Sequence, residues 1–174
     1  QTNILKDSDG DGSGDSNDQF PNDPAASKDS DLDGYPDSWV SGKSQADSTT
    51  GLILDGFPLD SAAYLDSDSD GYPDSWISGK TQSDSVTGLL IDKFPHDPAA
   101  FKDQDADGCP DFWADGYSSS TTGLSLDIFP GNPYECKDTD GDGVYDTADV
   151  APNDNRRTDN AAPVILSIES KKIL

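Results

Sequence analysis

Five stretches of the chain carry aspartates at one fixed spacing: DSDGDGSGD, DSDLDGYPD, DSDSDGYPD, DQDADGCPD and DTDGDGVYD, opening at Asp7, Asp29, Asp66, Asp103 and Asp138. Each reads D-x-D-x-D-G-x-x-D. Carboxylates at alternate residues of a short loop offer hard oxygen donors to a common centre, and glycine at the sixth place lets the loop turn sharply; this is the chemistry of calcium capture. The residues concerned are Asp7, Asp9, Asp11 and Asp15; Asp29, Asp31, Asp33 and Asp37; Asp66, Asp68, Asp70 and Asp74; Asp103, Asp105, Asp107 and Asp111; and Asp138, Asp140, Asp142 and Asp146. A further aspartate stands three residues before a proline in each unit: Asp18, Asp55, Asp92, Asp127 and Asp149. In the first and last units it is the twelfth loop residue, where a calcium loop places its final carboxylate. In the middle three the twelfth residue is Val40, Ile77 or Ala114, so an insert has to loop out and bring the aspartate back.

The elements that must position these donors are loops rather than helices. Pro21 and Pro152 stand three residues past the twelfth position and remove a donor where the exit helix of an EF-hand would run. Asp-Pro-Ala-Ala at 23–26 and 97–100 reads as a cap followed by proline at the first helical place, with room for one helical turn before the next loop. Loop starts are spaced by 22, 37, 37 and 35 residues, which divides the chain into units of about 6–27, 28–64, 65–101, 102–136 and 137–160.

Composition points the same way. With 11 basic and 35 acidic residues the net charge is −24, and a hydrophobic share of 32% is too small to build one core over 174 residues. Composition alone would read as disorder, but 33 of the acids are Asp and only Glu135 and Glu169 are Glu, and 25 of the 35 fall in the loop register. Each Ca2+ carries +2, so five ions would leave −14 and ten would leave −4. Binding and folding are therefore expected to be one event.

The run DxDxDGxxDxxDxFPxDP, as in DSDGDGSGDSNDQFPNDP, resembles the thrombospondin type-3 repeat in its prokaryotic cell-surface form, over residues 6–160. The resemblance implies an elongated, mostly irregular string of calcium-wrapped loops in which ions replace a core, used in adhesion proteins and surface stalks. It implies at least five Ca2+ and up to about ten, with carboxylates shared between adjacent ions. Asp23, Asp60, Asp97, Asn132 and Asp154, two residues past each proline, are then additional candidate ligands. Dockerin modules share a similar loop but need helices that Pro36, Pro73, Pro110 and the Phe-Pro exits oppose.

The three inserts, SWVSGKSQADSTTGLILD, SWISGKTQSDSVTGLLID and FWADGYSSSTTGLSLD, predict a small β-hairpin or compact loop, with Trp39, Trp76 and Trp113 on the returning Leu or serving as a platform for sugar or a partner. Cys109 and Cys136 bracket the shortened insert of the fourth unit; a disulfide there would contribute ~3 kcal/mol, the alternative being two thiols in a reducing compartment. His96, the sole histidine, reads as a surface residue, and no nucleophile motif supports an enzyme. The charge excludes nucleic acid and anionic membrane as partners unless calcium bridges them, and no apolar run is long enough to span a bilayer. After Asp159 the segment 161–174 alternates like a β-strand, expected to join a following domain or another copy of the chain, with Ile4 and Leu5 as a possible local partner. Low-affinity oxygen sites suit the calcium-rich extracellular space, and the chain, opening at Gln1, reads as processed from something longer. The expectation is an extracellular calcium-stiffened spacer of a surface protein; a self-assembling filament subunit and a calcium-dependent carbohydrate- or protein-binding module are the alternatives.

Overall fold

A computed structural model describes residues 6–156. The chain falls into two compact units, Gln1–Lys102 and Asp103–Leu174. Among the described residues the first contains loops one to three and the second loops four and five.

Regular structure among the described residues is limited to two short 3-10 turns, Gln45–Asp47 and Gln82–Asp84. The reason lies in where the backbone donors go. The first aspartate of every loop accepts the N–H groups of the fourth and sixth residues, as Asp29 does from Leu32 (2.7 Å) and Gly34 (2.9 Å). The ninth aspartate accepts from the second residue, as Asp37 does from the N–H of Ser30 (2.7 Å). With side chains taking these donors, no ladder or helix can form.

The fourth and sixth loop residues are left-handed. Gly supplies the sixth place throughout, and Gly10 and Gly141 the fourth place of the outer loops, but Leu32, Ser69 and Ala106 hold φ of 65°, 66° and 66° there in the middle three. A side chain in that conformation costs about 1 kcal/mol or more, and two hydrogen bonds to one carboxylate offset it.

Packing is correspondingly thin. Ala25, Ala26, Ala62, Ala63, Ala99 and Ala100 have no exposed surface, and the largest fully buried side chains are Asp23, Asp60, Pro36, Pro73 and Pro110. These are methyls, rings and carboxylates, with no large aliphatic side chain among them, so polar bonds carry what a core carries elsewhere. The Asp-Pro-Ala-Ala segment at 23–26 makes a single turn, Ala26 N–H donating to Asp23 C=O (3.3 Å).

One joint recurs. The seventh residue of a loop meets the residue two places before the next loop: Tyr35 stacks on Tyr64 with centroids 3.6 Å apart, Tyr72 stacks on Phe101 at 3.5 Å, and Cys109 is bonded to Cys136 with Cα atoms 6.1 Å apart. The disulfide thus takes the place of an aromatic stack.

Of the two forms expected for the inserts, a small β-hairpin or a compact loop, the hairpin is absent: no strand occurs among the described residues. Their backbone donors are spent in tight turns instead: Lys43 N–H donates to Val40 C=O (2.8 Å), Ser44 N–H and hydroxyl donate to Asp47 (2.9 Å each), and Ser48 Oγ accepts the N–H groups of Gly51 (3.0 Å) and Leu52 (2.8 Å). The second insert repeats the pattern around Thr81, Asp84 and Ser85. Trp39, Trp76 and Trp113 are half-buried and His96 is exposed. The expected strand at 161–174 and its partner Ile4-Leu5 lie outside the described residues. No helix among the described residues is long and apolar enough to cross a membrane.

Candidate metal centres

Each loop gathers its carboxylates because an Asx turn at the third and fifth places folds the chain around them. Asp31 Oδ1 accepts the N–H of Asp33 (3.2 Å) and Asp33 Oδ1 that of Tyr35 (2.8 Å). The same bonds recur from Asp11 and Ser13 in the first loop, Asp70 and Tyr72 in the third, and Asp142 and Val144 in the fifth; in the fourth, Cys109 donates to Asp107. These bonds fix one oxygen of each carboxylate and aim the other inward. In four loops the oxygens of the first, third and fifth aspartates converge within 4.8 Å: Asp7, Asp9 and Asp11; Asp29, Asp31 and Asp33; Asp66, Asp68 and Asp70; Asp103, Asp105 and Asp107.

The inserts do return the last aspartate. Asp55 N–H donates to Pro36 C=O (3.0 Å), Asp92 N–H to Pro73 C=O (3.0 Å) and Asp127 N–H to Pro110 C=O (2.9 Å), so each insert is pinned to the loop it left. Once there, Oδ1 accepts the N–H two residues on, from Phe57, Phe94 or Phe129, each at 2.7 Å. Asp18 and Asp149 do the same without an insert, from Phe20 and Ala151.

The first aspartates bond through both oxygens, but at the third, fifth and last places, Asp18 apart, an oxygen remains that is buried and has no partner. The Oδ2 atoms of Asp9 and Asp11; Asp31, Asp33 and Asp55; Asp68, Asp70 and Asp92; Asp107 and Asp127; and Asp140, Asp142 and Asp149 are all in this state, with both oxygens of Asp105. Asp55, Asp92 and Asp127 are themselves only 4%, 3% and 3% exposed. Burial, reinforced by Asp33 and Asp31 after the Phe57 N–H partly offsets it, pushes the Asp55 carboxyl up to about 7. Burial likewise raises Asp33, Asp70 and Asp92 to about 6, with neighbouring aspartates adding to it. Unpaired buried acceptors of one charge are costly, and a hard cation relieves all of them at once. An all-oxygen, carboxylate-rich set of this kind fits Ca2+, which takes six to eight oxygens in flexible geometry, better than a thiophilic metal. Cys109 and Cys136 also lie beside Asp107, but their sulfurs are joined to each other.

Two groups of predicted ligands bond to protein donors. The ninth-place aspartates close the loop: Asp15, Asp37, Asp74 and Asp146 each accept the N–H and the hydroxyl of the second residue, and Asp111 accepts the N–H of Gln104. Lys6 and Lys28 add ion pairs to Asp15 and Asp37 at 2.7 and 2.6 Å. Asp23 and Asp60, expected as additional ligands, carry more hydrogen bonds still. Asp23 Oδ1 accepts Ala25 N–H (3.1 Å), and Oδ2 accepts the Ser48 hydroxyl (2.6 Å), the Thr50 N–H (2.9 Å) and the Thr50 hydroxyl. Asp60 repeats the arrangement with Ala62, Ser85 and Thr87. Their acceptor capacity is filled by protein. Burial works to raise both carboxyls, yet the hydroxyl and N–H donors outweigh it and hold each down to about 2. Asp97 accepts Ala99 N–H (3.2 Å), Asn132 N–H donates to Phe129 C=O (2.9 Å), and Asp154 is paired with Arg156 (2.7 Å).

No family model matches the chain, and no curated protein or solved structure is detectably similar to it. The assignment of the loops therefore rests on donor geometry.

Three features escaped the sequence reading. The left-handed fourth residue was signalled by Gly10 and Gly141, the joint by the Tyr/Tyr, Tyr/Phe and Cys/Cys pairs at one offset, and the insert contacts by S-x-T-G-L at Ser48 and Ser85.

Proposed function

We propose that this chain is an extracellular, non-catalytic calcium-binding protein of the thrombospondin type-3 kind, whose loops fold around Ca2+ and stiffen a stalk or spacer of a prokaryotic surface protein. One observation carries the reading: at the fifth place of all five loops, a carboxylate has one oxygen fixed by the loop backbone and the other buried without a partner. Chance acidity would leave such oxygens in water. The disulfide between Cys109 and Cys136 supports an oxidising compartment. Four of the insert hydroxyls, those of Ser48, Thr50, Ser85 and Thr87, bond inward to Asp23 and Asp60, which favours a structural role for the inserts over a glycan-binding one.

Counting ions tests this directly. Equilibrium dialysis at millimolar calcium, followed by elemental analysis, is expected to find at least five tightly held Ca2+ per chain in the presence of excess Mg2+. Fewer than one per loop, or complete displacement by Mg2+, would overturn the reading.

A further inference from the structure

We propose that Asp23 and Asp60 are positioning residues for the calcium site of the following repeat: each anchors the next insert so that its returning ligand, Asp55 or Asp92, reaches its loop. The inference rests on the calcium reading above but concerns residues outside the ligand set.

Fifteen extra residues separate the early carboxylates of loops two and three from the last one, and nothing in a flexible Ser/Thr-rich segment directs its return. Two pins do so. The nearer is the bond from Asp55 N–H to Pro36 C=O, matched by Asp92 and Pro73. The farther lies five residues upstream, where Thr50 and Thr87 deliver both N–H and hydroxyl to Asp23 and Asp60. Ser48 and Ser85 donate to the same carboxylate oxygens while accepting the N–H groups of Gly51 and Leu52, or of Gly88 and Leu89. Thr49 adds a bond from its hydroxyl to Asn22 C=O (3.0 Å). The insert is thus fixed to the exit of the preceding repeat, and the four residues that follow have little freedom before the ligand.

The anchor is preorganised and dry. Asp23 and Asp60 are 2% and 1% exposed, flanked by the fully buried pairs Ala25-Ala26 and Ala62-Ala63. Val40 N–H donates to Ala25 C=O (2.8 Å) and Ile77 N–H to Ala62 C=O (2.9 Å), so the start of each insert is fixed to the same turn as its end. The sequence follows the rule further along: an aspartate stands at this place before every insert-bearing repeat, at 23, 60 and 97, and Asn132 replaces it before the fifth repeat, which has no insert.

The sixth-place glycine amides, Gly12, Gly34 and Gly71, each bonded to the first aspartate of its own loop, report the three sites separately. In a calcium titration of the 15N-labelled chain, Asp23→Asn is expected to shift the midpoint of the Gly34 resonance upward by ~10-fold, the lower end of the range for a supporting partner of a metal ligand, and to leave Gly12 and Gly71 within about twofold. Asp60→Asn should move Gly71 alone. Thr50→Val should behave as Asp23→Asn, Thr50→Ser should restore the Gly34 midpoint, and the ion count at saturation should stay at the wild-type value in all four. A shift at Gly12 in Asp23→Asn, the loss of an ion, or no shift at any glycine would overturn the proposal. Wild-type resonances that ignore calcium would instead remove the calcium reading itself, a distinct failure.

Discussion

Asp55 and Asp60 stand close together in the second repeat, are both nearly inaccessible, and have opposite electrostatics. Asp55 keeps a buried oxygen with no partner and is pushed up to about 7, whereas Asp60 has every position filled by hydroxyl and N–H donors and is held down to about 2. The same contrast separates loop from exit in the first repeat, where Asp9 and Asp11 are open and Asp23 is saturated. Acid content and burial therefore do not mark a metal site. An aimed oxygen left without a donor does.

The largest test of that contrast is Asp55→Asn. In calcium it should raise the concentration needed to fill the second loop by at least the ~100-fold that a supporting partner of a metal ligand can cost, read from the Gly34 amide. In chelator the same change should slow proteolysis of the second repeat, because it deletes a buried charge that nothing balances. Slower cleavage in chelator is the sign that separates an open carboxylate from a saturated one; faster cleavage would place Asp55 with Asp60.

Acidity sharpens the comparison next. The Asp55 carboxyl has a folded pKa of about 7 against 3.8 as the ordinary value, so its penalty on the calcium-free fold is absent below about pH 4 and complete above about pH 7. Asp23 and Asp60, at about 2, contribute stability that is present above about pH 4 and lost as pH falls through about 2. Protease resistance in chelator should accordingly peak at about pH 4–5 and fall toward pH 8. In calcium the order reverses, because protonating Asp55 competes with the ion. Parallel profiles in the two buffers would contradict the account.

The joint offers a smaller effect. Replacing Cys109 and Cys136 by serine should cost ~3 kcal/mol in chemical denaturation with calcium present. Cys109→Tyr with Cys136→Phe, which rebuilds the pair seen at Tyr72 and Phe101, should recover about 1 kcal/mol of it. Equal loss in both double variants would mean that the stack and the disulfide are not equivalent.

Smallest is Leu32→Gly. Leu32 is 74% exposed and left-handed, so glycine removes strain and little packing, with an expected gain of ~0.5–1 kcal/mol. The same substitution at a right-handed residue should destabilise.

How much of this could be read in the sequence depended on range. The loop carboxylates were legible because their partners are two to five residues away, within one Asx turn or one glycine, and such contacts repeat wherever the local pattern repeats. The role of Asp23 was not, because it shares residue type and neighbourhood with the candidate ligands and its partners Ser48 and Thr50 stand 25 and 27 residues on. The Trp start, Ser/Thr-rich middle and Gly-Leu return of the inserts left a hairpin and a compact loop both open, and Asp47 and Ser48 offer the backbone nearer partners than a second strand would. The cysteine pair could be proposed from number and position alone. That it fills an aromatic joint required the register of Tyr35 with Tyr64.

The central claim is that ions stand where a core would. Small-angle scattering of the intact chain in calcium and in excess chelator at pH 7.5 tests it most directly. The account predicts expansion on chelation toward the ~44 Å radius of gyration of an unfolded chain of this length, reversed when calcium is restored. An unchanged radius would show that Ala, Pro and the saturated aspartates hold the fold without metal, and would contradict it.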